Sequence, residues 1–408
     1  MIDPKIFKAY DIRGIYPTEL NEDVVYNLGR AIYTFFCNKL QKKKLSIVVG
    51  GDMRLSTPAL FERLKAALVD SGAEVIDIGI VSTPTVYFAV RHLNSDGGIQ
   101  ISASHNPKEY NGLKAFLNTP EGLIKIGKNT GMDEVKRLAE TQEFLIAEEA
   151  GAIIKKENVL VEEIANAFEI IHPGEIKPLT VVADAANAMG ATYLETLFEK
   201  LPCKLIKMNF ELDGTFPAHQ ADPLQFDTLN DLRQRVIEEK ADLGIAPDGD
   251  GDRVFFIDEK GEVIPASITT AIIIREILKK YPGEKMGFDI RYIWSPLKAT
   301  IDNGGIPVIT QVGHALITET MLKEHLFYAG ESSGHNYWRF AGGAESTIAV
   351  ILTILDTLSK TGKKISEIVA EVSASSESGE MNFKLQNTDE AKNKIDLFKE
   401  TFKDGEVS

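Results

Sequence analysis

The sequence predicts an α/β fold made of three similar α/β domains, each with a mixed, mostly parallel sheet covered by helices, plus a truncated C-terminal α+β piece. Strand-like runs alternate with helical patterns, and this alternation returns three times along the 408 residues. The chain is 44% hydrophobic, which is enough to bury several cores. A usual size of about 150 residues per domain agrees with three such units.

The first unit has a β-α-β-α-β pattern, which is typical of a parallel sheet with helices on its faces. Its strands are "SIVVG", "EVIDIG" and "GGIQISA", and its helices begin near Ala59 and Val86. The third strand runs into "SHNPKEYNGLK", which is therefore predicted to leave the carboxyl end of a strand. Ligands bind at that end of the strands in open α/β sheets.

The second and third units repeat this pattern. The second contains "LTVVADA", a helix from about Met189, "CKLIKMN", a helix from about Phe226, and "ADLGIAP". The third contains a helix over about 268–280, "MGFDI", another helix, "IPVIT", a short helix from about Ile317, and "LFYAGE". The predicted domains are residues 1–150, 151–254 and 255–369.

Residues 370–408 differ from the three units. "SGEMNFKLQ" predicts one strand, and "DEAKNKIDLFKETFK" predicts one amphipathic helix. A piece of this size is too small to bury a core alone. The sequence therefore predicts a partial fourth domain.

Charge and cysteine content narrow the class of protein. Forty-five Lys and Arg against 60 Asp and Glu give a net charge of -15, which argues against nucleic-acid and membrane partners. Only Cys37 and Cys203 occur, without CxxC spacing, so a zinc site or disulfide framework is not expected. The N-terminus lacks the apolar core of a signal peptide, and a cytoplasmic protein is predicted.

An acidic cluster is the strongest local signal. "PDGDGDR", residues 247–253, places Asp248, Asp250 and Asp252 directly after an apolar strand. In an extended strand, residues two apart are separated by about 6.5 Å, so the two intervening glycines must let the backbone curl if the carboxylates share one ion. Each carboxylate pair repels by roughly 2 to 3 kcal/mol at an effective dielectric of about 20. A bound Mg²⁺ would relieve that repulsion; a solvated acidic turn is the alternative.

Two further groups of polar residues follow the acidic cluster. Arg253 comes directly after it, where a guanidinium suits either a phosphate or a neighbouring aspartate. "GESSGH" then supplies Glu331, Ser333 and His335 at a strand exit. Its glycines allow close approach to a polyhydroxylated ligand, although an ordinary turn has the same composition.

The loop after the first unit's third strand contains Ser104 and His105, with Lys114 ten residues beyond the serine. Serine and asparagine also satisfy turn backbones, so this pattern alone does not establish a nucleophile. No GxSxG surrounds Ser104, which disfavours an α/β-hydrolase. A phosphatase with an Asp248 nucleophile is a further alternative, weakened by Asp252 where Thr or Val is expected.

Taken together and in this order, "FKAYDIRG", "ISASHNPKEYNGLK", "PDGDGDR", "VGHALI" and "GESSGH" resemble the α-D-phosphohexomutase superfamily. The opening "AYDIRG" and the "YNGLK" continuation look most like its phosphomannomutase/phosphoglucomutase branch. The resemblance implies an active site in a central cleft. It also implies interconversion of a hexose 1-phosphate and a hexose 6-phosphate, of mannose, glucose or both, through a 1,6-bisphosphate.

The resemblance implies roles for single residues and for whole domains. Ser104 is the phosphoserine and, with Asp248, Asp250 and Asp252, a Mg²⁺ ligand. Arg13, His105, Lys114 and His314 orient phosphate or move a proton, and Glu331, Ser333, His335 and Arg253 bind substrate. Among these, Lys114 is the preferred general base, which requires its pKa to lie well below the ordinary value.

By the same resemblance, the four domains are expected to carry, in order, the phosphoserine loop, the metal, the sugar and the phosphate-binding function. Hexose phosphates are the expected small-molecule partners, and glucose or mannose 1,6-bisphosphate is the expected activator.

The C-terminus departs from the family pattern. Members usually continue into a fourth domain whose Arg-Ser-Gly-Thr-Glu-Pro-like loop grips the non-reacting phosphate, and residues 370–408 contain no such loop. This predicts a piece of a longer protein, or else a shortened variant. An impaired or non-catalytic phosphosugar-binding protein and a phosphoglucosamine mutase are the alternative functions.

Overall fold

The first sheet is built from strands in about the N-terminal third of the chain. A computed structural model describes residues 2–377, 385 and 388–403. The elements of this region are β1 (Ile12–Ile15), α1 (Glu22–Leu40), β2 (Ser46–Gly51), α2 (Thr57–Asp70), β3 (Glu74–Ile80), α3 (Thr83–His92), β4 (Gly97–Ile101), β5 (Tyr110–Asn118), β6 (Leu123–Lys125), α4 (Met132–Thr141) and β7 (Ala152–Lys155). The strand order is β1-β5-β4-β2-β3-β7, with β6 beside β5. The β2, β3, β4 and β7 pairings are parallel, whereas β5 runs antiparallel to β4 and β1.

The start of α3 is fixed by local sequence. Ser82 is its N-cap, with the hydroxyl accepting from the Thr85 N–H, and Pro84 occupies the first turn, where its missing N–H costs nothing. This turn also reaches the second sheet, because the Thr83 N–H donates to the Asp250 carbonyl at 2.9 Å. The cap therefore fixes the position of α3 against the acidic loop.

The second sheet contains the strand that leads to the aspartates. Its region comprises α5 (Val159–Ile171), β8 (Thr180–Asp184), α6 (Gly190–Phe198), β9 (Lys204–Met208), α7 (Asn230–Glu239), β10 (Leu243–Pro247), β11 (Val254–Ile257) and β12 (Val263–Ile264). The order is β12-β11-β10-β8-β9, parallel from β10 through β8 to β9. β10 is buried along its whole length, as expected for a strand between helices.

The third sheet has the same mixed character. Its region comprises α8 (Ala266–Lys280), β13 (Lys285–Asp289), α9 (Trp294–Asp302), β14 (Ile306–Thr310), α10 (His314–Glu324), β15 (Tyr328–Gly330), β16 (Asn336–Trp338), β17 (Ala344–Glu345), α11 (Thr347–Thr361) and α12 (Ile365–Val372). The order is β14-β13-β15-β16-β17. Three helix-covered, mixed sheets confirm the predicted fold class.

The sheets extend beyond the boundaries predicted at 150 and 254. β7 pairs with β3 of the first sheet, and β11 returns antiparallel beside β10 of the second. Hydrophobic pattern indicates that a strand exists but not which sheet it joins. The first sheet therefore gains β7, and the second gains β11 and β12, which lie wholly or mostly beyond the predicted boundaries.

A common hydrophobic core joins the second and third regions. It runs from Ile164 on α5 through Ile272 on α8 to Ile351 and Leu355 on α11. Residues 347–359 of α11 are all buried, so this helix has no solvent face over that stretch. The second and third sheets therefore depend on the same packed helices.

The chain forms two compact units, Met1–Ser375 and Ser376–Ser408. In the second, α13 (Thr388–Thr401) confirms the predicted amphipathic helix. The strand predicted over residues 378–386 lies outside the described residues except at Leu385. Among the described helices, none combines the length and the apolar character needed to cross a bilayer.

Truncating the buried helix tests the common core. Ile351 is fully buried on α11, whereas Ile301 on α9 is 58% exposed. We expect Ile351→Ala to lower the free energy of unfolding by about 2 to 5 kcal/mol, because it removes methyl groups and leaves a cavity. Ile301→Ala, the matched control, is expected to change it by about 0.5 kcal/mol or less. Urea titration followed by circular dichroism measures both; equal losses would contradict the shared core.

Candidate active site

Loops from all three sheets meet at one place. β4 is followed by Ser104, β10 by Asp248 and β15 by Glu331. The backbones of Arg253 and His335 pair with each other, which joins the second loop to the third. Because each loop leaves the carboxyl end of its strand, the three form the walls of a single site.

Ser104 lies in a strained turn. Its φ is 52°, a left-handed conformation that serine rarely adopts. Its N–H donates to Ser102 Oγ at 2.9 Å, and its own Oγ donates to Asp248 Oδ2 at 2.9 Å. Only 2% of the residue is exposed. The turn therefore directs a buried hydroxyl at the acidic cluster, and such strain concentrates at functional sites.

Arg54, which sequence reasoning missed, holds this turn. The guanidinium is buried and pairs with Asp52 at 3.2 Å. It also donates to backbone carbonyls of the serine loop, namely those of Ser104, Asn106, Pro107 and Tyr110, at 2.6 to 2.9 Å. The available signal was "GGDMR", a charged pair at the carboxyl end of β2.

The acidic cluster is buried and compact. Its members Asp248, Asp250 and Asp252 are exposed by 0%, 0% and 3%. One oxygen from each lies within 4.8 Å of the others, so the loop curls as the glycines allow. A Cβ at Gly249 would lie 2.3 Å from the Ser104 carbonyl oxygen. Glycine is therefore required where the acidic loop passes the serine turn.

Lys114, on β5 of the first sheet, is the cation that joins two of these carboxylates. Its Nζ donates to Asp250 Oδ2 at 2.6 Å and to Asp252 Oδ2 at 2.7 Å. Burial lowers the pKa of Lys114, but the two carboxylates outweigh burial and hold it above its ordinary value. The lowered pKa that the sequence analysis required of a general base is therefore wrong for this arrangement.

Arg253 and His105 lie beside the contact between Ser104 and Asp248. Arg253 Nε donates to Asp248 Oδ2 at 3.0 Å, and its Nη2 contacts His105 Nδ1. Burial, reinforced by Arg253 and Arg13, lowers the pKa of His105 to about 2, which leaves the ring neutral. Burial also raises the pKa of Asp248 to about 7, although Arg253 opposes that rise.

Arg13, on β1, donates hydrogen bonds to the serine loop. Its Nε donates to Asp11 at 2.8 Å, and its Nη1 donates to Asn106 Oδ1 at 2.6 Å. A further Nη1 contact reaches the Ala103 carbonyl at 3.3 Å. The predicted phosphate-orienting arginine is thus next to the serine turn.

The third loop brings its polar residues to the acidic cluster through His335. His335 Nε2 lies 3.3 Å from Asp252 Oδ1, and its Nδ1 lies 3.1 Å from Glu331 Oε2 and 2.8 Å from Ser333 Oγ. Burial lowers the pKa of His335, but Asp252 and Glu331 outweigh it and raise the pKa to about 9. Burial acts to raise the pKa of Glu331, yet His335 and Arg291 hold it below its ordinary value.

Two residues complete the third wall. His314 begins α10 and is half-buried, and desolvation of its ring holds its pKa well below the usual range. Its ring lies 6.4 Å from that of His335, centre to centre. Arg291, also missed from sequence, reaches Glu331 Oε1 at 3.3 Å and Asp289 Oδ2 at 3.1 Å. The signal for Arg291 was its place after "MGFDI", again a strand exit.

A loop of the second region contacts two residues of the candidate site, His105 and Arg253. His219 Nε2 lies 3.0 Å from the buried Asp184 Oδ2. The next residue, Gln220, donates to the His105 carbonyl at 2.8 Å, and Asp222 lies 3.7 Å from Arg253. The His219–Asp184 pair thus anchors a segment that touches both His105 and Arg253.

The acidic cluster fits a divalent cation. Lys114 donates to one oxygen of Asp250 and one of Asp252. The other oxygen of Asp250, Oδ1, is buried and has no hydrogen-bond partner among the described residues, whereas Asp252 Oδ1 faces His335 Nε2 at 3.3 Å. Buried polar atoms without a partner are rare and point to a missing ion or water. Carboxylate and hydroxyl oxygens are also the ligands that Mg²⁺ prefers. These three aspartates and Ser104 are the residues that would hold it.

Comparison with known proteins follows the same three-part division. Models of the phosphoglucomutase/phosphomannomutase alpha/beta/alpha domains I, II and III match residues 4–144, 158–261 and 266–375. The chain belongs to this family. The resemblance noted from the sequence motifs is therefore confirmed, and the chain is a phosphohexomutase of the phosphomannomutase/phosphoglucomutase type.

Individual relatives support the family assignment. A phosphomannomutase of Vibrio cholerae is 38% identical over 93% of this chain and 82% of its own length. A phosphomannomutase of Escherichia coli K12 is 37% identical over 96% and 85%. A phosphoglucomutase/phosphomannomutase family protein of Burkholderia thailandensis has a similar crystal structure, with a TM-score of 0.82 and 27% identity over 92% of this chain and 81% of that one.

Replacing Arg54 tests its control of the serine turn. Arg54→Lys keeps the charge but cannot reach the same set of carbonyls, so buried acceptors lose partners. We expect the free energy of unfolding to fall by about 1 to 3 kcal/mol and amide hydrogen exchange to accelerate over residues 104–110. Arg63→Lys, on the exposed side of α2, is the control. Unchanged exchange in the loop would contradict this role.

The His219–Asp184 pair predicts a pH dependence of stability. The Asp184 hydrogen bond raises the pKa of His219, against the effect of burial. The pair's contribution is therefore complete below the unfolded pKa of about 6.5 and is lost as pH rises through the folded pKa. We expect His219→Gln to destabilise more at about pH 5.5 than at about pH 9. In an Asp184→Asn background this pH dependence should vanish; its persistence in urea titrations would contradict the pairing.

Proposed function

We propose that this protein interconverts hexose 1-phosphates and hexose 6-phosphates, with mannose and glucose as the sugars, through a phosphoryl group carried on Ser104. One observation carries the proposal: the Ser104 hydroxyl lies 2.9 Å from Asp248 Oδ2, and both belong to a buried acidic cluster. Phosphomannomutases among the relatives support this substrate class.

The cleft balances the charge of a phosphoserine. A phosphorylated serine carries about -1.5 to -2 charges at neutral pH, which three buried aspartates would repel. Arg13 and Arg253 both lie beside the serine loop and supply positive charge. A Mg²⁺ held by Ser104 and the three aspartates would neutralise the phosphoryl oxygens as the group moves.

Each transfer exchanges one oxygen–phosphorus bond for another. A sugar hydroxyl attacks the phosphoryl group and the bond to Ser104 Oγ breaks, while the hydroxyl proton is relayed through the cleft to the departing Ser104 Oγ, which returns to a hydroxyl. In this proposal Lys114 stays protonated, because its ammonium group donates a hydrogen bond to both Asp250 and Asp252. Its fixed positive charge holds the two carboxylates in place. His105 and His314 are the proposed orienting groups near the reacting atoms.

The third loop is proposed to read the sugar. Glu331 and Ser333 are arranged around His335, which gives acceptors and donors suited to adjacent hydroxyls. A 1,6-bisphosphate must turn around between the two transfers, so that one set of contacts serves both ends of the sugar. Added glucose or mannose 1,6-bisphosphate would bind through the same contacts and activate the enzyme by transferring a phosphoryl group to Ser104.

Serine dependence tests the proposal directly. The 408-residue protein is incubated with Mg²⁺, glucose 1-phosphate or mannose 1-phosphate and a trace of 1,6-bisphosphate, and the 6-phosphate is followed by phosphorus NMR. We expect conversion by the natural sequence and a loss of about three orders of magnitude or more in Ser104→Ala. Ser366→Ala, a remote serine bonded to Glu259, is the control.

The other outcomes identify the alternatives. Full activity in Ser104→Ala contradicts the phosphoserine. Binding of hexose phosphates without conversion by the natural sequence favours a phosphosugar-binding protein. Release of inorganic phosphate that depends on Asp248 favours a phosphatase.

Metal dependence is tested at Asp250, whose Oδ1 is buried without a partner among the described residues. We expect Asp250→Asn to raise the Mg²⁺ concentration for half-maximal activity by about 10-fold or more, because a charged ligand is lost. Asp302→Asn, on the exposed end of α9, is the matched control. An unchanged Mg²⁺ requirement in Asp250→Asn would contradict the proposed metal site.

A further inference from the structure

A second cavity lies behind the acidic loop. It has a volume of about 250 Å³ and is bounded by α3, α5 and residues 340–346, so each of the three regions contributes one wall. The start of α3 separates it from the candidate active site: Thr83 contacts Asp250 on one side, and Thr85 contacts Glu163 on the other. Nothing in the proposed phosphoryl transfer uses this space.

Glu163 is the unusual residue of this cavity. It is 4% exposed, and its only hydrogen bond within the described part of the chain is from Thr85 Oγ1 to Oε2, at 2.6 Å. No described Lys, Arg or His lies within ion-pair distance of it, whereas the buried Asp77 and Glu345 have lysines. Burial raises the pKa of Glu163 to about 7, with the Thr85 bond opposing. A buried acid without a counter-charge is costly unless something supplies one.

Arg91 provides the opposite charge on the same cavity. Its Nη1 donates to Asn118 Oδ1 at 2.7 Å and to the Thr119 carbonyl at 3.0 Å, and among the described residues no carboxylate pairs with it. Arg91 and Glu163 both line the cavity yet form no ion pair with each other. The cavity therefore has an acidic pole, Glu163, and a basic pole, Arg91.

The remaining lining combines apolar residues with the polar His92, Asn166, Glu345 and Ser346, of which Glu345 is already paired with Lys125. Phe88 and Phe340 contribute aromatic rings, and Pro84, Ala167 and Ile170 contribute aliphatic surface. The aromatic and aliphatic part of this lining suits a ligand with a hydrocarbon body. Aromatic rings also attract ammonium groups.

We propose that this cavity binds a small zwitterion of the α-amino-acid type, with an ammonium group at Glu163, a carboxylate at Arg91 and an apolar side chain between Phe88 and Phe340. Glu163 would then pair with the ammonium group of the ligand, and Arg91 with its carboxylate. The apolar residues of the lining would contact its apolar side chain. This site is distinct from the proposed sugar-phosphate cleft, and the two are neighbours, because Glu345 of its lining also lies close to Asp252 and His335.

Three related probes test the two poles by isothermal titration calorimetry. L-phenylalanine carries both charges, 3-phenylpropanoate lacks the ammonium group, and phenethylamine lacks the carboxylate. We expect L-phenylalanine to bind best, and each missing charge to weaken binding by roughly tenfold, as for a hydrogen bond to a charged group. Absence of saturable binding of all three, or equal binding of all three, overturns the proposal.

Variants locate the binding. Glu163→Gln keeps an acceptor for Thr85 and should weaken L-phenylalanine by roughly tenfold while leaving 3-phenylpropanoate unchanged. Glu169→Gln makes the same change on the exposed face of α5 and should have no effect. Asn166→Phe, at the cavity wall, should block all three probes and provides a test that leaves Glu163 intact. Unchanged binding in both Glu163→Gln and Asn166→Phe overturns the proposal.

Discussion

The rest of the structure depends on how buried negative charge is compensated at the acidic loop. Asp248, Asp250 and Asp252 are almost completely buried within a few ångströms of one another. At an effective dielectric of about 20, each pair repels by roughly 2 to 3 kcal/mol. Lys114 comes from the first sheet and His335 from the third, so that the carboxylates are stable only where all three sheets meet.

A second buried pair reinforces this junction. Lys125 of the first sheet donates to both carboxylate oxygens of Glu345 in the third, at 2.6 and 2.7 Å. The Lys125 ammonium also lies 4.9 Å from the Tyr87 ring and 5.0 Å from the Tyr337 ring. Removing one partner of such a pair is costly, whereas the intact pair fixes which surfaces meet. Together with the common core around α8 and α11, these pairs hold the three loops in one geometry.

The sequence was sufficient for the architecture and for the choice of loops. Alternating strand and helix patterns predicted the three units, and the motif order predicted that Ser104 and Asp248 belong to one site. Patterns could not predict Arg54, because a single arginine after a strand has no periodic signal, and its partners lie some fifty residues further along the chain. Nor could they predict the direction of the Lys114 pKa, which depends on two carboxylates from another sheet. The strands β7 and β11 pair across the predicted boundaries, because hydrophobic pattern does not show which sheet a strand joins.

The central claim is that Ser104, and not an aspartate of the acidic cluster, carries the phosphoryl group. The most direct measurement is peptide mapping by mass spectrometry after the protein is incubated with Mg²⁺ and glucose 1,6-bisphosphate. The account predicts one added phosphoryl group on the peptide that contains Ser104, stable to hydroxylamine as a phosphate ester should be. A phosphoryl group on the peptide that contains Asp248, released by hydroxylamine, would contradict it.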